Sequence, residues 1–122
     1  MKNKLLFVGA LFGLLSVMMG AYIDHVLTAK LSEHALHSVS SAQRFLQYYA
    51  LVICLIGFST RAVHSRLLVM AGWMFITGTF CFSFGINAAV LLGFPALIKI
   101  VPVGGGLVML AWILLAGCAF AG

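Results

Sequence analysis

The chain has 122 residues, of which 64% are hydrophobic and only 7% charged. A soluble domain of this size carries roughly 25% charged residues, and seven Lys and Arg with two Asp and Glu cannot cover an aqueous surface. The composition excludes a soluble domain, and the scattering of the basic residues excludes a nucleic-acid-binding stripe despite a net charge of +5. At ~20 residues per crossing, the length holds a single membrane domain of about four spans.

The first span reads 5–23 and follows Lys2 and Lys4. A basic start, an apolar run and small residues at Gly20 and Ala21 also describe a signal peptide. The run is long for a signal core, so a retained helix is the expectation. A polar link from Asp24 to Leu31 leads to Ser32, a helix cap, with Glu33 in the first turn. Over 32–43 the pattern is amphipathic. Glu33, His37, Ser40, Ser41 and Arg44 fall on one side of a helical wheel, and Leu36, Val39, Ala42 and Leu46 on the other. This suits a short helix lying at the membrane surface or standing just above it.

The apolar stretch from Phe45 to Ser59 would rise only ~22 Å, short of a hydrocarbon core of about 30 Å. The second span must therefore recruit residues before Phe45 and is placed at 43–60, with Arg44 snorkelling or paired with an acid. Thr60 to Arg66 is a tight basic loop. The third span, 67–88, exceeds the bilayer core if its full apolar length is helical, so it tilts or breaks near Gly85. An apolar link with Phe94, Pro95 and Lys99 precedes Pro102, which opens the fourth span, 103–121. Lys2, Lys4, Arg61 and Arg66 share one face, and Lys30, Arg44, Lys99, Asp24 and Glu33 share the other. That bias puts both termini in the cytoplasm of a bacterial inner membrane.

Several short motifs are similar to a known family. Gly20-Ala21-Tyr22-Ile23-Asp24-His25 ends the first helix, and Arg44, Tyr48, Ala50 and Leu51 mark the second. Phe82-Ser83 stands in the third, and Pro102-Val103-Gly104-Gly105 with Trp112 in the last. The chain resembles the YgdD/YwdK-like small integral membrane proteins, the domain of unknown function four-two-three, over nearly its whole length. It departs from that pattern at Val26, where the family has Gly, at Tyr49, where it has His, and at Val101, where it has Thr. The resemblance implies fold and membrane location and carries no settled activity.

Three groups of residues are candidates for function. The first is an interfacial polar cluster of Asp24, His25, Glu33, His34, His37 and Arg44. Asp24 at a helix C-terminus opposes the helix dipole unless compensated, so an Asp24–Arg44 clasp between the first two helices is preferred over an ion site. Glu33, His34 and His37 are conceivable metal ligands, but a solvated helix face shows the same residues, so no metal is expected. The second group is a polar seam in the third span, Thr77, Thr79, Ser83 and Asn87. The third is a set of helix-packing glycines, Gly9, Gly13, Gly20, Gly104 and Gly105, which permit close approach within one protomer or between copies.

The cysteines, Cys54, Cys81 and Cys118, sit singly in apolar runs and read as packing residues. The methionines lack a solvated Met-x-x-Met box. No deep pair of His side chains offers haem ligation, and no acid pair, nucleophile set or phosphate loop nominates a reaction. The expectation is an all-α bundle of four transmembrane helices with a short amphipathic helix before the second span. No cofactor and no enzymatic activity are expected. The partners are lipid and a second copy or another membrane protein, with a small oligomeric transporter or channel as the alternative.

Overall fold

A computed structural model describes residues 3–120. Lys2, used above as a basic flank, and residue 121, used as the end of the fourth span, lie outside the described residues. Among the described residues every regular element is helical. Four stretches are long and apolar enough to cross a membrane: Lys4–Ala29, Glu33–Ser59, Arg66–Leu91 and Pro95–Cys118.

The first helix, α1, spans Lys4–His25. Asn3 caps it, its side chain accepting a hydrogen bond from the Leu6 amide at 3.1 Å. Leu5, Gly9, Phe12, Ser16 and Ile23 face inward, while Phe7, Leu11, Leu14, Val17 and Met18 face out. The two faces are equally apolar. Shape and side-chain size, rather than hydrophobicity, select the inward one, as expected where lipid is the solvent.

The second helix, α2, runs without interruption over Glu33–Ser59. Ser32 caps it through its hydroxyl, which accepts from the Ala35 amide at 3.2 Å. The amphipathic segment expected at 32–43 forms the opening turns of this helix rather than a helix of its own. The reason is steric and continuous: Val39, Ala42, Leu46, Ala50, Ile53, Ile56 and Gly57 make one inward stripe from end to end. At 27 residues the helix is about 40 Å long, so its opening turns stand beyond a hydrocarbon core of about 30 Å.

The third crossing is a compound of three pieces. Helix α3, Arg66–Thr79, is capped by Ser65, whose hydroxyl accepts from the Leu68 amide at 3.3 Å. A π-helical turn follows over Phe80–Phe84, and α4 completes the crossing over Gly85–Leu91. The break expected near Gly85 is this widened turn, which ends where Gly85 begins. Gly93 then takes φ +73°, a conformation that favours glycine. A 3-10 turn over Pro95–Ile100 leads into α5, Val101–Cys118, with Pro102 in its first turn.

The helices pack as two antiparallel pairs, α1 chiefly on α2 and α3 chiefly on α5. One core joins them, including Phe12, Leu46, Ile53, Phe75, Val108 and Ala111. A smaller cluster of Ile23, Leu27 and Val39 closes the end that carries both acids.

Candidate functional site

The polar seam divides on folding. Thr77 lies on the exposed side of α3 and donates its hydroxyl to the Trp73 carbonyl at 2.9 Å, a bond within its own helix. Thr79 and Ser83 are wholly buried, and Asn87 is half-buried. These three stand four residues apart. Over four residues an α-helix overshoots a full turn by ~40°, and the widened turn at Phe80–Phe84 counters that drift, so all three turn toward the bundle. Ser83 donates to the Ala42 carbonyl across the helix interface at 3.0 Å. Among the described residues, Thr79 Oγ1 and Asn87 Oδ1 are buried without a hydrogen-bond partner. Each such atom costs about 1–3 kcal/mol when nothing satisfies it. Asn87 also lines an open cleft of about 370 Å³ with Leu15, Met18, Tyr22 and Phe84.

The interfacial polar residues share one end of the bundle without converging. Asp24 and His25 close α1, and Glu33, His34 and His37 lie in the opening turns of α2. All of them, and Arg44, are exposed. Among the described residues no Lys, Arg or His nitrogen comes within 4.0 Å of an Asp or Glu carboxylate. The Asp24–Arg44 clasp is therefore not formed. Arg44 instead reaches back one turn to donate to Ser41 Oγ at 3.4 Å, and the Asp24 carbonyl accepts from Thr28 Oγ1 at 3.1 Å. Among the described residues no three His, Cys, Asp or Glu side chains group closely enough to hold a metal ion.

The bond that joins α1 to α2 at this level comes from a residue outside the candidate cluster. Gln43 Nε2 donates to the Ser16 carbonyl at 3.0 Å and to Gln47 Oε1 at 3.3 Å. Gln43 opens the second span as placed from the sequence, 43–60, and nothing in the sequence marks Ser16 as its partner.

The glycines separate in the same way. A Cβ at Gly9 would meet the Cys54 amide nitrogen at 2.8 Å, and one at Gly104 would meet the Gly78 carbonyl and the Phe82 amide at 2.6 Å. These are backbone contacts that do not yield. A Cβ at Gly20 would meet the flexible end of Gln43 at 3.3 Å, and one at Gly13 only Ala50 at 3.9 Å. Gly105, expected to pack, has nothing within 4 Å of its Cβ position. It follows Gly104 by a single residue, so the helix turns it away from α3. Sequence reasoning missed Gly57 and Gly78, which also meet facing backbone, and Gly72, whose Cβ position meets the side-chain ends of Leu5 and Ile56 at 2.9 and 3.1 Å.

Also missed was an aromatic network between the helix pairs. Trp112 Nε1 donates to the Tyr49 hydroxyl at 2.9 Å, and Phe75 lies edge-on to Trp112 with centroids 5.1 Å apart. Phe45 stacks on Phe82 at 4.0 Å. The resemblance marked Tyr49 and Trp112 separately, and nothing in their spacing links them.

Comparison with known proteins places these features in a family. A family model described as "Protein of unknown function (DUF423)" matches residues 19–105, more than half of the chain. A UPF0382 membrane protein of Staphylococcus aureus (strain bovine RF122 / ET3-1) is 33% identical over 109 residues, covering 88% of this chain and 87% of the relative. A UPF0382 membrane protein of Staphylococcus aureus (strain USA300) is similar to the same degree, 33% over 109 residues with the same coverage. No solved structure matches.

Proposed function

The chain belongs to the DUF423 family of membrane proteins, and from that premise we propose that it is a non-catalytic component of the bacterial inner membrane. It acts by packing with itself, with another membrane protein or with lipid. The observation that carries this reading is the use made of the polar side chains between the helices. Ser83 ties α4's approach to α2, Gln43 ties α2 to α1, and Asn3 donates to the Gly57 carbonyl at 2.8 Å. Each is committed to a main-chain carbonyl. None is set beside a base as a nucleophile needs. The outer faces carry a broad apolar surface, including Phe7, Leu14, Leu55, Phe58, Val103 and Ile113, which only lipid or another membrane helix can cover.

Both termini lie on the cytoplasmic side in this reading, because Lys2, Lys4, Arg61 and Arg66 on that side outnumber Lys30, Arg44 and Lys99 on the other. A membrane-impermeant thiol reagent applied to Ala62→Cys in a cysteine-free background checks this. Labelling from the cytoplasmic side only is the expected result.

Two measurements test the role. Vesicles reconstituted with the protein should pass ions and small solutes no faster than empty vesicles. Cross-linking within native membranes should trap the chain with a second copy or one defined neighbour. Flux above background would overturn the reading.

A second reading, a small oligomeric transporter or channel, draws on the unpaired Thr79 Oγ1 and Asn87 Oδ1 and the cleft beside Asn87. It requires that Asn87→Leu abolish any flux observed; flux indifferent to that change removes it.

A further inference from the structure

The end of the bundle remote from the acids carries a groove that the seam and the polar cluster do not account for. It has a volume of about 640 Å³ and is lined by Lys4, Arg61, His64, Val69 and Trp73 among others. That is within the roughly 300–1,000 Å³ typical of small-molecule sites. A second hollow of about 550 Å³ shares His64 and Val69 with it and adds Arg66 and Met70. We propose that this groove seats the phosphate headgroup of an anionic phospholipid, with the lipid's chains running along the outer face of α3. The proposal deepens the packing reading by giving its lipid partner a class and a seat.

Charge comes first. Lys4, from the start of α1, and Arg61, from the loop after α2, line the groove, and Arg66, at the start of α3, lines the adjoining hollow. The chain's two acids, Asp24 and Glu33, are at the far ends of α1 and α2. Among the described residues no Asp or Glu side chain lies at this end. Helices α1 and α3 also begin here, so first-turn amides beyond those capped by Asn3 and Ser65 lack intrahelical carbonyls. Basic pockets between spanning helices on the cytoplasmic side suit lipid phosphates.

Shape comes second. Below the cations the lining turns apolar. Arg66 stands three and four residues before Val69 and Met70, which stand four and three before Trp73, so the four share one face of α3, and Val69, Met70 and Trp73 are all exposed. From Arg66 to Trp73 the helix descends about 10 Å. The surface thus passes from cation to apolar track in the direction in which a phospholipid passes from headgroup to chain. A free phosphate would use only the first part.

The floor of the groove is rigid. Asn3 Nδ2 and Thr60 Oγ1 both donate to the Gly57 carbonyl, at 2.8 and 2.7 Å. This fastens the start of α1 to the end of α2. Arg61 lies over the Phe58 ring at 5.8 Å from its centroid, which steadies the guanidinium beside the groove.

Native mass spectrometry of the full-length protein in mild detergent is the test, with phosphatidylglycerol, chain-matched phosphatidylcholine and inorganic phosphate as probes. Phosphatidylglycerol should be held one per protomer under conditions that strip phosphatidylcholine. Arg61→Gln and Arg66→Gln should each weaken its retention about fivefold, and Lys99→Gln, at the other end, should leave it unchanged. Equal retention of the two lipids, or an equal loss with Lys99→Gln, would overturn the proposal. Binding of inorganic phosphate with the same Arg61 dependence and no lipid preference would reassign the groove to a soluble anion.

A second readout leaves the cations intact. With Trp112→Phe, Trp73 is the remaining tryptophan. Phosphatidylglycerol brominated on its chains should quench its fluorescence more than brominated phosphatidylcholine, and equal quenching counts against the site. Failure of lipid selectivity leaves the packing reading standing, since flux and cross-linking decide that one.

Discussion

The two helix pairs solve one problem by different means. Helices α1 and α2 approach at Gly9 and Gly57 and are also sewn together by polar bonds, from Asn3 at one end and Gln43 toward the other. Helices α3 and α5 approach at Gly78 and Gly104, where each glycine's Cβ position meets the other's carbonyl at 2.8 and 2.6 Å. No side-chain hydrogen bond between α3 and α5 supplements that contact among the described residues, and the nearest polar link, Trp112 to Tyr49, ties α5 to α2. In lipid an apolar face gains little by leaving its solvent. The α3–α5 pair therefore rests on fit alone, whereas α1–α2 has a reserve.

Substitutions that attack fit without touching polarity break the comparison most directly. Gly104→Ala should be the most damaging, toward the upper end of the ~1–3 kcal/mol typical of overpacking, because its Cβ would strike both the Gly78 carbonyl of α3 and the Phe82 amide of the π turn. Stability in a titration from mild detergent into dodecyl sulfate measures it, and a parent-like midpoint would falsify the crossing described here. Gly57→Ala should cost less, ~1–2 kcal/mol. Its Cβ meets the Leu6 amide at 2.7 Å, but the Gln43 bond still holds α1 to α2 farther along. If the two glycine variants prove equal, the α1–α2 reserve is illusory. Gln43→Leu removes one interhelical bond and should cost about 0.6 kcal/mol, read in the same titration. Gly105→Ala should leave protomer stability within ~0.5 kcal/mol of the parent. A larger loss that disappears on dilution would place Gly105 in a contact between copies.

The four crossings were legible from composition, because long apolar runs bounded by basic residues have few alternatives in a chain this poor in charge. Ser32 was legible as a cap for the same local reason. The seam was legible in part. Thr79, Ser83 and Asn87 do turn inward, but Thr77 does not, and the widened turn that aligns the other three has no signature in Phe80–Phe84. The glycines show the limit most clearly. Gly104 and Gly105 are adjacent and chemically identical, and only the rotation of α5 against α3 makes one a contact and the other a blank. The cations of the groove were legible only as sharing a membrane face; that Lys4 and Arg61, distant in the chain, line one hollow follows from the packing of α1 on α2. The Asp24–Arg44 clasp failed on placement, since both side chains are exposed and Arg44 finds Ser41 nearer.

The π turn at Phe80–Phe84 has one further effect, on which insertions and deletions the lineage can tolerate. Each residue of an α-helix advances the phase by ~100°, and a residue of the wider π turn advances it by less. The five residues of the turn therefore wind through roughly the angle of four α-helical ones. Removing one of them would rewind the turn into regular helix and leave Gly85, Ile86 and Asn87 facing the bundle, whereas removing one from α3 or α4 would rotate everything after it by about 100°. The turn therefore works as one residue of slack, and single-residue changes of length should be tolerated there better than in the helices on either side.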